Sequence, residues 1–269
     1  MAQRSTVKVD TLLQGYRLDS NQGAIAFCSV VLLEAPDAAG ALRRVIVDTG
    51  HTGRRGPLEA ALARRGLGRG DIDFVVCTHA HWDHIENLDL FDRAQVMLHK
   101  NERRYIKHPH RNDTGCPGWV DAVFERYGDR IREVEEGVEI LPGIEVVDAP
   151  GHSAGTIAIT ARTDGGLAVV AGDSVQNSTV AVQGRNALVF WDEALAARTV
   201  DKLVAIADVI YPGHDQAFRI GPGRKVEYVE RLELTLVHAT PGDPGLSFDP
   251  GTEFRPVVMA GIEEQRFWD

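Results

Sequence analysis

The chain is 269 residues long and poor in cysteine, with only Cys28, Cys77 and Cys116. An odd, widely spaced set of this kind does not make a disulfide framework. Cys28 and Cys77 lie inside apolar runs and are expected to be packing residues, whereas Cys116 sits in the Gly/Pro stretch 114–118 and reads as a loop thiol. No run of about 18 or more apolar residues occurs, so no membrane span is expected. The opening residues Met1–Thr6 lack the apolar region of a secretory leader, and the expected location is the cytoplasm. Lys and Arg form no dense cluster and the net charge is −10, which disfavours a nucleic-acid partner, because phosphate backbones attract grouped cations. Gly and Pro are scattered, so no segment is of low complexity. At 43% hydrophobic content the chain can bury one large core or two small ones.

What the chain does have is histidine at the ends of strands. His79, His81, Asp83 and His84 follow directly on the strand-like run Ile72–Cys77. On extended backbone, alternate residues point the same way, so His79 and His81 can grip one ion. Asp83 and His84 lie just beyond and can reach a second. Imidazole and carboxylate suit zinc, and also iron or manganese. An ordinary surface histidine needs no companions, but further ligand-type residues recur along this chain.

Val7–Leu13 and Ala24–Leu33 read as strands around a turn at 19–23. Val45–Val47 enters the turn Asp48-Thr49-Gly50. Asp48 has two readings: orienting a ligating histidine through its free ring nitrogen, or capping the turn. His51 reads as a surface residue, or one that supports a ligand from behind, rather than as a ligand itself. Helices are expected over Pro57–Arg65, from Ile85 and from Asn101, with a strand at Gln95–His99. The stretch 108–118 is irregular, and His108 and His110 are not assigned as ligands. Trp119, Val123 and Tyr127 share one helical face, read as a flap over the site. In the second half, strands end at Gly151-His152, Gly172-Asp173 and Gly213-His214, with a helix at Glu193–Ala207. One ligand-type residue after one strand means little, but recurrence at 79–84, 152, 173 and 214 implies convergence. The chain reads as one domain, 1–269, with halves at about 1–130 and 131–220 and an extension at 221–269. In that extension 226–237 is a helix or edge strand and 241–251 a loop. Phe254, Phe267 and Trp268 need cover from the body or from a second copy, which allows a homodimer.

The ordered set His79-x-His81-x-Asp83-His84, Gly151-His152, Gly172-Asp173 and Gly213-His214 resembles the signature of the metallo-β-lactamase-fold superfamily. Leu12–Tyr16, Val47–Gly50, Asp83–Phe91 and Ala207–His214 are similar to the animal metallo-β-lactamase domain-containing hydrolases. The resemblance implies an α/β (α+β) fold, a four-layer αββα sandwich of two mixed sheets with metals at one edge. It implies that His79, His81 and His152 hold one ion, that Asp83, His84 and His214 hold another, and that Asp173 bridges them. The implied cofactors are two Zn2+, with Fe or Mn also suited. Asp83 would move the catalytic proton while a water shared by the ions attacks a small ester, lactone, thioester or amide. Alternatives are an N-acyl-homoserine lactonase, a mononuclear iron dioxygenase of the same fold, and a ribonuclease or phosphodiesterase. Against the lactonase, Ser174–Arg185 contains no tyrosine where those enzymes carry one. Trp82 and Trp191 are candidates to wall an apolar pocket, with buried packing as the other reading.

Overall fold

The computed structural model describes residues 6–20, 23–186, 188–235 and 257–258. Strand β1 (Lys8–Leu13) leads into a hairpin of β2 (Tyr16–Ser20) and β3 (Gly23–Phe27), then β4 (Val30–Pro36) and β5 (Leu42–Val47). The expected strand over 24–33 is therefore broken at Cys28-Ser29. There the backbone turns to other partners: the Arg54 guanidinium donates to the Cys28 carbonyl, and Ser29 N donates to Gly213 O at 2.6 Å. Helix α1 (Arg55–Ala63) and β6 (Phe74–Val76) follow.

Helix α2 spans Trp82–Ile85, earlier than the expected start at Ile85. It stops after one turn because the His84 carbonyl accepts from Thr49 N at 2.7 Å and Thr49 Oγ1 at 3.0 Å instead of continuing the helical ladder. Then come β7 (Gln95–His99), α3 (Lys100–Tyr105), α4 (Trp119–Glu125) and β8 (Ile131–Val134). The remainder is β9 (Glu139–Leu141), β10 (Ile144–Asp148), β11 (Ile157–Thr163), β12 (Gly166–Gly172), α5 (Ser178–Gln183), β13 (Leu188–Val189), α6 (Glu193–Ile206), β14 (Val209–Pro212), β15 (Phe218–Gly221) and β16 (Lys225–Tyr228). Residues 225–228 thus form an edge strand; the rest of the extension to 269, including the loop at 241–251 and Phe254, Phe267 and Trp268, lies outside the described residues apart from 229–235 and 257–258.

Two mixed sheets make the frame, one ordered β1-β4-β5-β6-β7-β8 and the other β16-β15-β14-β12-β11-β10-β9. The change of sheet falls between Val134 and Glu139. Alternation along the strands explains their continuous apolar sequence. In β4, Val31 and Leu33 face the second sheet while Leu32 faces the helices; in β5, Val45 and Val47 face inward and Ile46 outward. The inner seam pairs these with Val146, Ile157, Ile159 and Val170. One outer seam buries Leu58, Leu62, Tyr105 and Phe124 against the first sheet, and the other buries Val180, Val200 and Leu203 against the second. The layers are therefore helix, sheet, sheet, helix. Cys116 is 1% exposed and belongs to an outer seam rather than to a loop surface. Its segment is drawn inward by the Asp113 carboxylate, which accepts from Gly115 N and Cys116 N. No helix among the described residues is long and apolar enough to cross a membrane.

Candidate metal centre

Topology brings the strand exits to one edge. β12 and β14 are parallel neighbours with Gly172 paired to Pro212, so Asp173 and His214 leave the sheet side by side. β10 runs antiparallel to β11 with Asp148 opposite Ile157, which puts His152 at the same end. Ile157 N donates to Thr78 O at 2.9 Å, joining the two sheets where β6 delivers His79. Gly151, at φ +132°, passes so close to α6 that a Cβ there would lie 2.3 Å from Ala196 Cα. Glycine alone allows His152 to reach the edge at that point.

All seven expected ligands meet there. His79, His81 and His152 form one group, Asp83, His84 and His214 another, and His79, His84 and Asp173 a third that overlaps both, each with its ligand atoms within 4.8 Å of one another. Asp173 Oδ1 lies 3.1 Å from His214 Nε2 and 3.3 Å from His84 Nε2, and its Oδ2 lies 3.5 Å from His152 Nε2. Asp83 Oδ2 is 3.5 Å from His214 Nε2 and 3.6 Å from His84 Nε2.

The remaining ring nitrogens of four of these histidines are tied back, while His214 Nδ1 is buried without a hydrogen-bond partner among the described residues. His84 Nδ1 donates to Asp48 Oδ2 at 2.7 Å, and His152 Nδ1 to Leu188 O at 2.7 Å. His79 Nδ1 lies 3.1 Å from Thr78 Oγ1, whose own proton goes to Asp48 Oδ2. His81 is held the other way round, by Nε2 on Asp113 Oδ2 at 3.1 Å. These partners leave lone pairs on Nε2 of His79, His84 and His152 and on Nδ1 of His81, all aimed inward. His79 Nε2, His84 Nε2 and Asp173 Oδ1 are buried without a hydrogen-bond partner among the described residues. Buried polar atoms are rarely left so, and a cation at their common focus would satisfy them together.

Charge follows the same geometry. Burial holds the His79 imidazole well below its ordinary range and takes His152 down to about 4, so both rings are neutral donors. Burial acts the same way on His81 and His214, but the surrounding carboxylates together outweigh it, Asp113 foremost for His81 and Asp173 for His214, and both shift upward. Burial would raise Asp173, yet His214 and His84 hold it well below the usual carboxylate range. The centre thus concentrates negative charge that a divalent cation would neutralise.

The pocket above these atoms, about 310 Å³, is lined by Trp82, Phe190 and Leu188 on its apolar side and by Arg17, Thr114, Gln176 and Asn177 on its polar side. Trp191 does not line it; its ring packs 6.1 Å from Tyr105 against an outer seam. The 108–128 segment reaches it through Thr114 and Gly115 only. Helix α4 is not the expected flap: Val120 and Phe124 anchor it in an outer seam, and Trp119, Val123 and Tyr127 line a separate cavity with Thr52 and Ile85. Asp48 takes the first of its two readings, on His84; the backbone amide it accepts from, at 2.8 Å, is that of Thr78 at the exit of β6 and not one of its own turn. His51 caps a short turn by accepting from Gly53 N, and His110 accepts from Asn112 N; neither joins a ligand group. Sequence reasoning missed Asp113, which lies in the irregular stretch and carries no motif. Gln176 was missed as well; it donates to Asp173 Oδ2 at 3.0 Å, and its spacing of three from that aspartate was the only signal.

The profile of the metallo-beta-lactamase superfamily matches residues 26–214, and the chain belongs to that superfamily. Among curated relatives it is 30% identical over 220 residues to metallo-beta-lactamase domain-containing protein 1 of Xenopus laevis, covering 79% of this chain and 81% of that one. The human protein of the same name is 31% identical over 182 residues, 65% of this chain and 59% of the relative. Among solved structures, a protein from Staphylococcus aureus described as a probable metal-dependent hydrolase superposes with a TM-score of 0.68 at 19% identity, covering 87% of this chain and 100% of that one. AidC, a dizinc quorum-quenching lactonase, superposes with a TM-score of 0.62 at 15% identity, covering 86% and 99%. At these identities the structural likenesses bear on the fold alone.

Proposed function

We propose that the chain is a dinuclear metal-dependent hydrolase acting on a small ester, lactone, thioester or amide. The observation that carries this is the place of Asp173, with one oxygen facing His84 and His214 and the other facing His152. A carboxylate so placed serves two ligand groups at once. His79, His81 and His152 would hold one zinc ion and Asp83, His84 and His214 the other; iron or manganese also suits the donor set. When bound, such a pair acidifies a water from a pKa of about 15.7 toward roughly 7 and polarises an acyl carbonyl.

The protein's own groups do the rest. Asp83 stands at the pocket wall, 7% exposed, where it can accept and return a proton. Gln176 and Asn186 hold Asp173 by its side chain and by its carbonyl. Trp82, Leu188 and Phe190 exclude water from one side of the pocket and seat an apolar group. Its volume suits a small molecule, and Arg17 is the one lysine or arginine among its described lining, which speaks against a nucleic-acid strand. A mononuclear iron oxygenase would leave Asp83, His84 and His214 converging with no metal to hold.

Metal analysis by mass spectrometry tests the reading. About two zinc per chain is the expected result, and one iron per chain overturns it. Zinc-loaded enzyme assayed on lactones, thioesters, β-lactams and phosphodiesters then separates the substrate classes, with the lactonase as one arm of that panel. His81→Ala and Asp173→Ala should each lose metal and turnover together.

A further inference from the structure

Glu102 lies on α3, has no exposed surface and does not line the pocket. Among the described residues no lysine or arginine pairs with it; Arg103 beside it goes to Asp121 and Glu125 instead. Its carboxylate is occupied by two loops. Oε1 accepts from Ala80 N at 3.0 Å, and Oε2 accepts from Gly155 N at 2.9 Å and from Ser153 Oγ at 2.7 Å. Ala80 is the residue between His79 and His81, and Ser153 directly follows His152. The three histidines of one ligand group thus come from two sheets, and one carboxylate ties their loops together. The approach is tight enough that a Cβ on Gly155 would fall 2.0 Å from Glu102 N. The other group has a different anchor: Asp48 holds His84, and Glu102 makes no hydrogen bond to Asp83, His84 or His214 themselves, its contact at Ala80 lying between His79 and His81.

We propose that Glu102 is a positioning residue that assembles the His79–His81–His152 group and is charge-balanced by the cation held there, so that it governs that ion and not the other. This rests on the two-ion reading given above. A buried carboxylate without a counter-ion is costly, and three donors offset only part of that cost. A divalent ion on the far side of the imidazoles supplies the missing positive charge. Outer groups of this kind commonly change metal affinity by about 10–100-fold. Glu102→Gln keeps the shape but removes the charge and turns an amide N–H₂ toward a donor.

The test is a zinc titration of metal-free wild-type and Glu102→Gln protein against a chelating indicator, with histidine ring resonances followed by NMR and folding checked by circular dichroism. In the variant, the ion reported by His79, His81 and His152 should weaken by about 10–100-fold, while that reported by His84 and His214 shifts by less than about threefold. Two unchanged affinities, or equal loss of both ions in a folded variant, overturn the proposal. If Glu102→Gln does not fold, Ser153→Ala decides. It removes one of the three donors and should weaken the same ion by at least about threefold; no change there overturns the proposal. Wild-type protein that binds a single ion refutes the two-ion reading instead. Glu102 then stands if His79, His81 and His152 report that ion and the variant weakens it, and falls if His84 and His214 report it.

Discussion

Asp48 shows how much can depend on one side chain. It adopts φ 58°, the left-handed region that few residues other than glycine enter. It is kept there by three donors, Thr78 N, Thr78 Oγ1 and His84 Nδ1. Asp48→Asn preserves the shape but offers one acceptor oxygen in place of two. The expected result is a folded protein whose zinc affinity and turnover fall by about 10–100-fold, read by zinc titration and steady-state kinetics. Unchanged values would mean that His84 is oriented by packing alone. Asp113 plays the corresponding part for His81, and Tyr105 OH fixes it in turn at 2.6 Å.

Single elements set how the ligands arrive. The one-turn helix α2 places Asp83 and His84 in adjacent positions, and it is short because Thr49 takes the His84 carbonyl. Helix α6 starts on Asp192, whose Oδ1 accepts from Leu195 N at 2.6 Å. Asp192→Ala should cost about 1 kcal/mol in urea unfolding with zinc content unchanged. Gly151→Ala should cost more, roughly 3 kcal/mol, because it adds both backbone strain and a clash with Ala196. It should also weaken zinc binding, since His152 follows directly. Unfolding curves and metal content of the two variants separate a general loss of helix stability from a displaced ligand.

For the whole molecule, the inner seam is the structural support of the site. Leu33 is wholly buried within it, and Leu33→Ala should cost about 3 kcal/mol by denaturant unfolding. Charge at the edges adds a pH dependence. Arg65 donates to both carboxylate oxygens of Asp10 and ties α1 to β1. The Arg65 hydrogen bond, working against burial, holds Asp10 below its ordinary value. A carboxyl lowered in the folded state contributes stability above its unfolded pKa of about 3.9, and that stability is lost as pH falls through the lower folded value. Asp10→Asn should therefore flatten the loss of stability below about pH 4 while leaving little change in slope near neutrality. An unaltered acid limb would show that the pair contributes nothing.

By itself the sequence marked the seven residues that converge, and the family resemblance they carry implied the kind of fold. Short apolar runs rich in β-branched residues and bounded by turns read as strands, and His or Asp at their exits with glycine beside them needs no tertiary information to be recognised. The tertiary structure decided the partners. Asp113 and Glu102 lie 32 and 21 residues beyond His81, the first in an irregular stretch and the second on α3, and nothing local marks a carboxylate whose partners come from distant loops. The same limit produced the reading of α4 as a flap. Helical spacing shows that Trp119, Val123 and Tyr127 share a face, but which cavity that face meets depends on where the first sheet places the helix. Side-chain pattern is a local property of the chain, whereas hydrogen-bond partners and cavities are set by contacts between segments far apart in it.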